Sequence, residues 1–587
     1  MCGIAGLMTF DGKAPTLKVL DAFTKALAHR GPDGEGRHVS GNVGMVQRRL
    51  AIIDLETGAQ PIYDSTGNAL IANGEVYNYL ELRSAMTDAT FSTQSDCEPP
   101  LALYRRDGMD FAASLRGMYS IAIHNPTQGH LILARDPFGI KPLYFAETKY
   151  GFAFASEPQA IFAAGLLEPT LDHARLNELL QLQFTCGDTT IFKGVERVKP
   201  GETLLIRQGK IIERTRLPAL PDETGDNLST DATIEMLDKT LLDSVSIHQR
   251  SDVPYGLFLS GGVDSSAVLA LMSRLNEKPV QAFTIGFTHR DVPDERAHAR
   301  YLAASVGAEH VEIAFGEKDF WCTLPKIAAA MDDPAADYAI LPTWKLAREA
   351  AKNVKVILSG EGGDELFAGY GRYRSLLRPW WRGGRSIRAR GTFDKLDVLR
   401  QFPNAWRDSI ASLEASGSSS ARTKLQVAQI MDFRDWLPNN LLTKLDRCLM
   451  AHGLEGRTPF LDREVAAQVF LLPDNLKING GQGKWILRQW LNKVMPQAKP
   501  FSRKRGFTVP VGQWISERGN QLGPMVSSLP AISRICKPSS VERIFKSNDK
   551  RAGFAAWTLL FFALWHRRHI EGIIPDGDVF DVLATKR

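Results

Sequence analysis

In the first third of the chain, hydrophobic positions come in short β-like runs broken by Gly, Pro, Asn and Asp. "NVGMVQRRLAIID", "ALIANGEVYN", "GMYSIAIHN", "HLILARDPFG" and "KYGFAFASE" all carry this pattern. Short apolar runs of this length between turn residues, rather than a helical period, predict β-strands. Their number up to about residue 205 predicts sheets packed on each other, with a few helices such as one near Leu17 to Leu27. The polar stretch "RLPALPDETGDNLSTD" (Arg216 to Asp231) has neither pattern and reads as a linker. Beyond it, "YGLFLSGGVDSSAVLALMSRL" is strand, glycine loop, then helix. "PVQAFTIGF", "AEHVEIAF" and "NVKVILSGEGGDE" repeat the strand-then-loop theme, which predicts an α/β domain with a parallel sheet. From about Lys424 onward the pattern is mainly helical.

Composition narrows the class. Of 587 residues, 44% are hydrophobic and 23% charged, and 71 basic against 66 acidic residues leave a net charge of +5. That balance makes no case for nucleic acid, yet does not repel anionic substrates. The six cysteines (2, 97, 186, 322, 448 and 536) form no CxxC pair, which argues against a disulfide framework or zinc site and fits a reducing compartment. The N-terminus has no basic n-region. The longest apolar run, "GFAAWTLLFFALW" (Gly553 to Trp565), is too short for a bilayer and predicts a buried helix. The expectation is a cytoplasmic enzyme with small-molecule partners, no nucleic acid and no membrane, a homodimer being the one assembly considered. The basic aromatic stretch "RPWWRGGRSIRARG" (Arg378 to Gly391) suits membrane or phosphate contact, but a solvated face or surface loop is the preferred reading.

The chain begins "MCGIAG". Removal of Met1 would free an α-amine on Cys2, and an N-terminal amine is a known activating base for a neighbouring nucleophile. Attack on an amide needs donors for the oxyanion, such as an Asn side chain and a backbone N–H. "NGE" (Asn73, Gly74, Glu75) supplies both. Arg49 can take a carboxylate and Asp96 an ammonium, as an amino-acid substrate requires. Each piece alone is an ordinary turn sequence.

In the second part, "SGGVDSS" (Ser260 to Ser266) follows a strand and opens a helix, making a nest of backbone N–H groups for an anion. It lacks the lysine of a Walker A loop. Asp264 offers a hard oxygen ligand for Mg²⁺. "LSGEGGDELFAGY" (Leu358 to Tyr370) sets Glu361, Asp364 and Glu365 among glycines. "GQGKWILRQ" places Lys484 in a glycine turn before a helix, apt for phosphate charge, and "KLDRCLMAHGLEGRTPFLD" adds Asp446, Arg447 and Arg457.

Taken in order, Cys2, Arg49, "NGE" and Asp96, with "AHRGPDGEG", "RDPFGIKPLY" and "FASE", resemble the class II glutamine amidotransferase domain. "SGGVDSS" resembles the PP-loop of ATP pyrophosphatases. Together they resemble the glutamine-hydrolysing asparagine synthetase family over nearly the whole chain. The resemblance implies an α+β and α/β architecture: a four-layer αββα Ntn-hydrolase domain over 2–215, then a PP-loop (HUP-like) parallel-sheet domain with a helical C-terminal part over 232–570. It implies glutamine hydrolysis through a Cys2 thioester, with Asn73 and the Gly74 N–H as oxyanion hole and Arg49, Glu75, Asp96 and the Leu50 to Ile53 backbone (Leu50, Ile52, Ile53) binding glutamine. Ammonia then passes through an internal channel and amidates an adenylated carboxylate. For that second site it implies pyrophosphate held by Ser260, Gly261, Gly262, Asp264, Ser265 and Ser266. A nucleotide pocket is implied at Phe258, Ile285, Ser359 and Gly360, and Mg²⁺ on Asp264 and Asp364. Glu361 and Lys484 become catalytic, and Asp364 and Arg457 acceptor-binding.

Two segments depart from the family. Between Asp333 and Pro342 the chain reads "DPAADYAILP", with Ala335, Ala336 and Tyr338 where some asparagine synthetases have a Thr-Thr-x-Arg aspartate-binding segment; and "LEGRTPFLD" replaces the commoner "LEARVPFLD". The acceptor therefore stays open between L-aspartate and another carboxylate, such as a sugar acid, peptide or cell-envelope precursor. A catalytically silent binding or storage relative would have lost Cys2, Asp264, Glu361 or Lys484, and all four are present.

Overall fold

The computed structural model describes residues 2–222, 229–288, 294–400, 404–502 and 509–586. Twelve strands build the N-terminal part: β1 Gly3–Thr9, β2 Gly34–Ser40, β3 Val43–Arg49, β4 Ile62–Tyr63, β5 Ala69–Val76, β6 Gly117–Asn125, β7 His130–Arg135, β8 Tyr144–Thr148, β9 Gly151–Ala155, β10 Glu196–Arg197, β11 Glu202–Arg207 and β12 Lys210–Arg216. They form two six-stranded sheets, ordered β10-β8-β9-β1-β3-β2 and β12-β11-β7-β6-β5-β4, with every pairing antiparallel.

Strand alternation explains the layers. Ile4 and Met8 of β1 join Ile71 of β5 and Ala122 of β6 in one core between the sheets. Ala5 and Leu7, pointing the other way, meet Leu20, Phe23 and Leu27 of the helix Leu17–Ala26 and its C-cap. On the second sheet Leu70, Ala72, Ile121 and Ile123 face outward, against Leu101 and Leu103 of the helix Pro99–Asp107 and Phe111 beyond it. Both faces of each sheet are thus covered, which gives the four-layer αββα Ntn-hydrolase arrangement and explains why β1 and β9 are buried at every position. The linker expected from Arg216 is shorter at both ends: Arg216 closes β12 and the helix Thr230–His248 already contains Asp231. Part of that stretch lies outside the described residues.

The second part is built on a parallel sheet of β13 Tyr255–Phe258, β14 Gln281–Phe287, β15 Glu309–Phe315, β16 Val356–Leu358 and β17 Glu455–Arg457, ordered β15-β14-β13-β16-β17. The chain winds outward from β13 in one direction and returns to β16 on its other side. In such sheets the crevice at the carboxyl ends of the two strands flanking this switch is where ligands bind. Those ends carry "SGGVDSS" and "SGEGGDE". The apolar run near the C-terminus is the centre of the helix Lys550–His569, buried almost all round. No helix among the described residues is long and apolar enough to cross a membrane.

The two parts meet over buried charge as well as apolar surface. Arg30 donates to Glu157 Oε1 (2.7 Å) in its own domain and, through both terminal nitrogens, to Asp446 (2.8 and 3.0 Å) in the other. Asp446 also takes Arg447 (3.0 Å), whose Nε reaches Asp332 (2.9 Å). Nearby, Arg197 forms a two-pronged pair with Asp333, which also accepts from Tyr144. Arg30, Arg447 and Asp332 are essentially inaccessible to solvent. Burial pushes Asp332 up to about 6, while Arg447 pulls it back down.

Removing one partner of such a cluster strands the others. Asp446→Asn is expected to lower stability by about 3–5 kcal/mol, seen as a fall in the denaturant midpoint, because two buried guanidiniums lose their shared anion. The matched Arg30→Met/Asp446→Leu variant should recover much of the loss. Equal loss in both variants would mean that the charges themselves do not matter.

Candidate active sites

The first site assembles at the edges of β1, β3 and β5. Cys2, directly before β1, is buried, and its backbone N–H donates to Asn73 Oδ1 (3.2 Å). Asn73 is fully buried, and its Nδ2 donor has no partner among the described residues. A buried amide left open beside a thiol is an unfilled demand for an acceptor. Gly74 must be glycine: a Cβ there would collide with the Met118 carbonyl and lie 2.6 Å from Tyr119 Cα on β6. Burial pushes the Cys2 thiol up, the Leu50 backbone N–H draws it down, and Glu75 and Glu455 push it up again. A thiol held protonated in this way needs a base to become a nucleophile.

Around it, Asp96 accepts from the Val76 N–H (2.8 Å) and the Cys97 thiol (3.5 Å), and burial raises it to about 6. Glu75 is pushed well above the usual carboxylate range by burial, then by Asp96 and Glu455. Arg49 donates to the carbonyls of Asp54 (2.5 Å) and Ile53 (3.4 Å), so it shapes the loop that carries Leu50, Ile52 and Ile53. These three residues pack with Phe138, Ile140, Leu437 and Leu441 in one apolar cluster shared by the two domains.

Arg457 has partners on the glutaminase side. Expected at the acceptor, it is fully buried on edge strand β17, with its Nε on Glu455 (2.6 Å) and its Nη2 3.4 Å from Glu75. Its other donors are spent on the carbonyls of His248 (2.9 Å) and Arg250 (2.6 Å). Alternation along β17 turns Glu455 and Arg457 to the same face, toward the first site. Asp446 and Arg447, read beside it in sequence, belong to the domain interface.

The second site lies at the switch point. Ser260 and Ser265 hydroxyls are 3.0 Å apart and the Gly262 N–H reaches Ser260 Oγ (3.3 Å), folding the loop ahead of the helix Val263–Leu275. The Ser266 and Ser359 hydroxyls are buried without partners among the described residues, and Ile285 and the half-buried Phe258 lie at the neighbouring strand ends. Lys484 Nζ bridges the two loops: it pairs with Asp264 and with Asp364 (2.8 Å). Burial opposes its charge, but the two carboxylates outweigh burial and hold its pKa above the ordinary lysine range. Lys484 adopts a left-handed backbone (φ 58°), and Gly369 beside it has no room for a Cβ against Asp364 and Lys484. Such strain persists where the surroundings over-determine it.

Two carboxylates converging on one cation are a donor set that fits Mg²⁺, which takes one or two protein carboxylates and completes its shell with water and phosphate oxygens. No cluster of three or more metal-type side chains occurs among the described residues.

Adjacent to this crevice is an array that the motifs did not single out. Buried Lys444 lies 3.6 Å from Glu361 and 3.6 Å from Asp337. Glu361 and Asp337 overcome the cost of burial and raise the Lys444 pKa. Glu365 accepts from the Tyr370 hydroxyl (2.7 Å), and burial with Asp364 pushes it up to about 8. Ala335 and Ala336 are completely buried, the backbone of Ala336 being held by Gln183 and Trp557. Asp337 and Tyr338 after them remain partly exposed.

An Ntn-hydrolase domain with a cysteine at its mouth, packed on a PP-loop domain with a lysine and carboxylates at its switch point, defines a class: glutamine-using ligases with two active sites. Comparison with known proteins agrees. Residues 236–567 match the family described as asparagine synthase and residues 1–216 the glutamine amidotransferase domain. The chain is 32% identical to asparagine synthetase [glutamine-hydrolyzing] 1 of Bacillus subtilis, covering 97% of each chain. It is 32% identical to a putative asparagine synthetase [glutamine-hydrolyzing] of Mycobacterium tuberculosis over 98% of each, and 28% identical to amidase chry2 of Gibberella zeae over 95% and 93%. The chain belongs to the asparagine synthase family and is a ligase with glutamine as nitrogen donor.

Proposed function

We propose that the protein is an ATP-dependent asparagine synthetase: it hydrolyses glutamine at Cys2, passes the ammonia inward and amidates L-aspartate through β-aspartyl-AMP. With Met1 removed, the α-amine of Cys2 accepts the thiol proton and the thiolate attacks the glutamine carboxamide. Asn73 Nδ2 and the Gly74 N–H hold the oxyanion. The amine returns the proton to departing ammonia, and water releases glutamate from the thioester. Arg49 holds the substrate carboxylate, and Asp96 with Glu75 its ammonium. The shared apolar cluster of Leu50, Ile52, Phe138 and Ile140 with Leu437 supports passage of neutral ammonia between the sites.

At the switch point the nest Ser260–Ser266 holds the β- and γ-phosphates. Asp264 and Asp364 would hold Mg²⁺, which neutralises polyphosphate charge when bound. Lys484 then exchanges its carboxylate partners for phosphate oxygens as the acceptor carboxylate attacks the α-phosphorus and pyrophosphate leaves. Glu361 takes a proton from the attacking ammonia, and AMP departs. The observation that carries aspartate as acceptor is the Glu361–Lys444–Asp337 array: one cation and flanking anions suit an amino acid with carboxylates and an ammonium. A second reading, the same chemistry on another carboxylate, is favoured by Tyr338 and the buried Ala335–Ala336 pair where some relatives have an aspartate-binding segment, and by the full-length similarity to a protein named as an amidase.

Release of AMP and pyrophosphate, followed with glutamine and MgATP across a panel of acceptors, tests the choice. Stoichiometric asparagine with aspartate is expected; active glutaminase without aspartate-dependent pyrophosphate would move the acceptor to the second reading. Cys2→Ala should cut glutamine-driven synthesis at least about a thousand-fold while sparing ammonium-driven synthesis. Asp264→Ala should do the reverse, ending ATP chemistry and leaving glutaminase activity. Asp96 is charged only above about pH 6, so the KM for glutamine should rise as pH falls through that value. Asp96→Asn should show a high KM without that acid limb.

A further inference from the structure

Between Leu366 and Phe393 the chain has no acidic residue and seven arginines. The structure divides this segment into an anchored side and a presented side. Arg372 and Arg388 turn inward and pair with Asp432 (2.8 and 2.9 Å), which also accepts from the Tyr373 hydroxyl (2.5 Å); Tyr373 and Ile387 are buried. The tip between these anchors turns out. Trp380 and Trp381 are 85% and 63% exposed on a short helical turn, with Leu377 exposed beside them. Arg374, Arg378, Arg382, Arg385 and Arg390 have no carboxylate partner among the described residues, and Arg382 lies over the Trp381 ring (4.5 Å).

We propose that this tip docks on an anionic membrane surface. Two adjacent indoles left in water are unusual for a free surface. A bilayer interface suits them: the rings enter the acyl boundary while their N–H groups stay at headgroup level. The surrounding guanidiniums bring charge of one sign to lipid phosphates, which they can grip bidentately. Anchoring by Asp432 fixes the tip's orientation on the body, so the whole enzyme is held peripherally with no spanning helix. The sequence offers membrane or phosphate contact only as the lesser reading of this stretch; the exposure of Trp380 and Trp381 opposite the anchoring arginines favours it.

Vesicle flotation of the full chain tests the proposal. The protein should float with phosphatidylcholine vesicles containing phosphatidylglycerol, remain behind with phosphatidylcholine alone, and be released by high salt. Trp380→Ser/Trp381→Ser should reduce the bound fraction at least about ten-fold with unchanged glutamine hydrolysis and thermal midpoint. Arg378→Gln/Arg382→Gln/Arg385→Gln should flatten the salt dependence. Absence of flotation with the anionic vesicles, or flotation indifferent to the tryptophan variant, overturns the proposal. So does a protein captured through the same tip by a chain that ignores both vesicles, which would assign the surface to that partner.

Discussion

Everything functional in this molecule depends on charges that water cannot reach. Arg30 touches the Cys2 carbonyl with its Nε (3.1 Å), its own domain through Glu157, and the synthetase domain through Asp446. A guanidinium buried to this degree is tolerable only because each donor finds a carbonyl or carboxylate, and those carboxylates are tolerable only because Arg30 and Arg447 are there. The cluster is therefore weak as a source of net stability and strong as a source of registration: few relative placements of the two domains satisfy all its members at once. The cysteine and the switch point inherit their separation from that constraint.

The same logic runs on into the two sites. Lys141, buried between the domains and drawn down to about 8 by that burial, reaches toward the Gly456 carbonyl (3.4 Å), and beside that carbonyl Arg457 pairs with both Glu455 and Glu75. One edge strand of the synthetase sheet thus forms the back wall of the glutaminase site. At the carboxyl ends of β13 and β16, a lysine forced into a left-handed backbone neutralises two carboxylates that would otherwise repel each other across two loops. Buried titratable groups are in both places compensated by neighbours supplied from a different loop or domain.

Much of this was legible in the residues. Short apolar runs between turn residues located β3, β5, β6, β7 and β9, because in a four-layer domain both faces of each strand are apolar enough to leave a clear trace. The loops after β13 and β16 were legible as glycine-rich strand ends, and the topology brings them together. Strand β17 was not: three residues reading Glu-Gly-Arg look like a motif, and nothing local says that Glu455 and Arg457 share a face turned to the other domain. Nothing local in "DPAADYAILP" says that Ala335 and Ala336 are buried, the Ala336 carbonyl taking the Trp557 indole N–H. Lys444 and Asp337, 107 positions apart in sequence, meet Glu361 only after folding, so no spacing rule finds them.

The contact from Arg30 to the Cys2 carbonyl has an evolutionary corollary. Because the backbone of Cys2 is gripped by a side chain whose charge is balanced across the domain boundary, the N-terminal half is not a detachable cassette. Shuffling it onto an unrelated synthetase would leave Arg30 with Glu157 as its counter-ion and its two buried bonds to Asp446 unmade. The two halves must change together, and drift at Asp446 is felt first at the opposite catalytic centre.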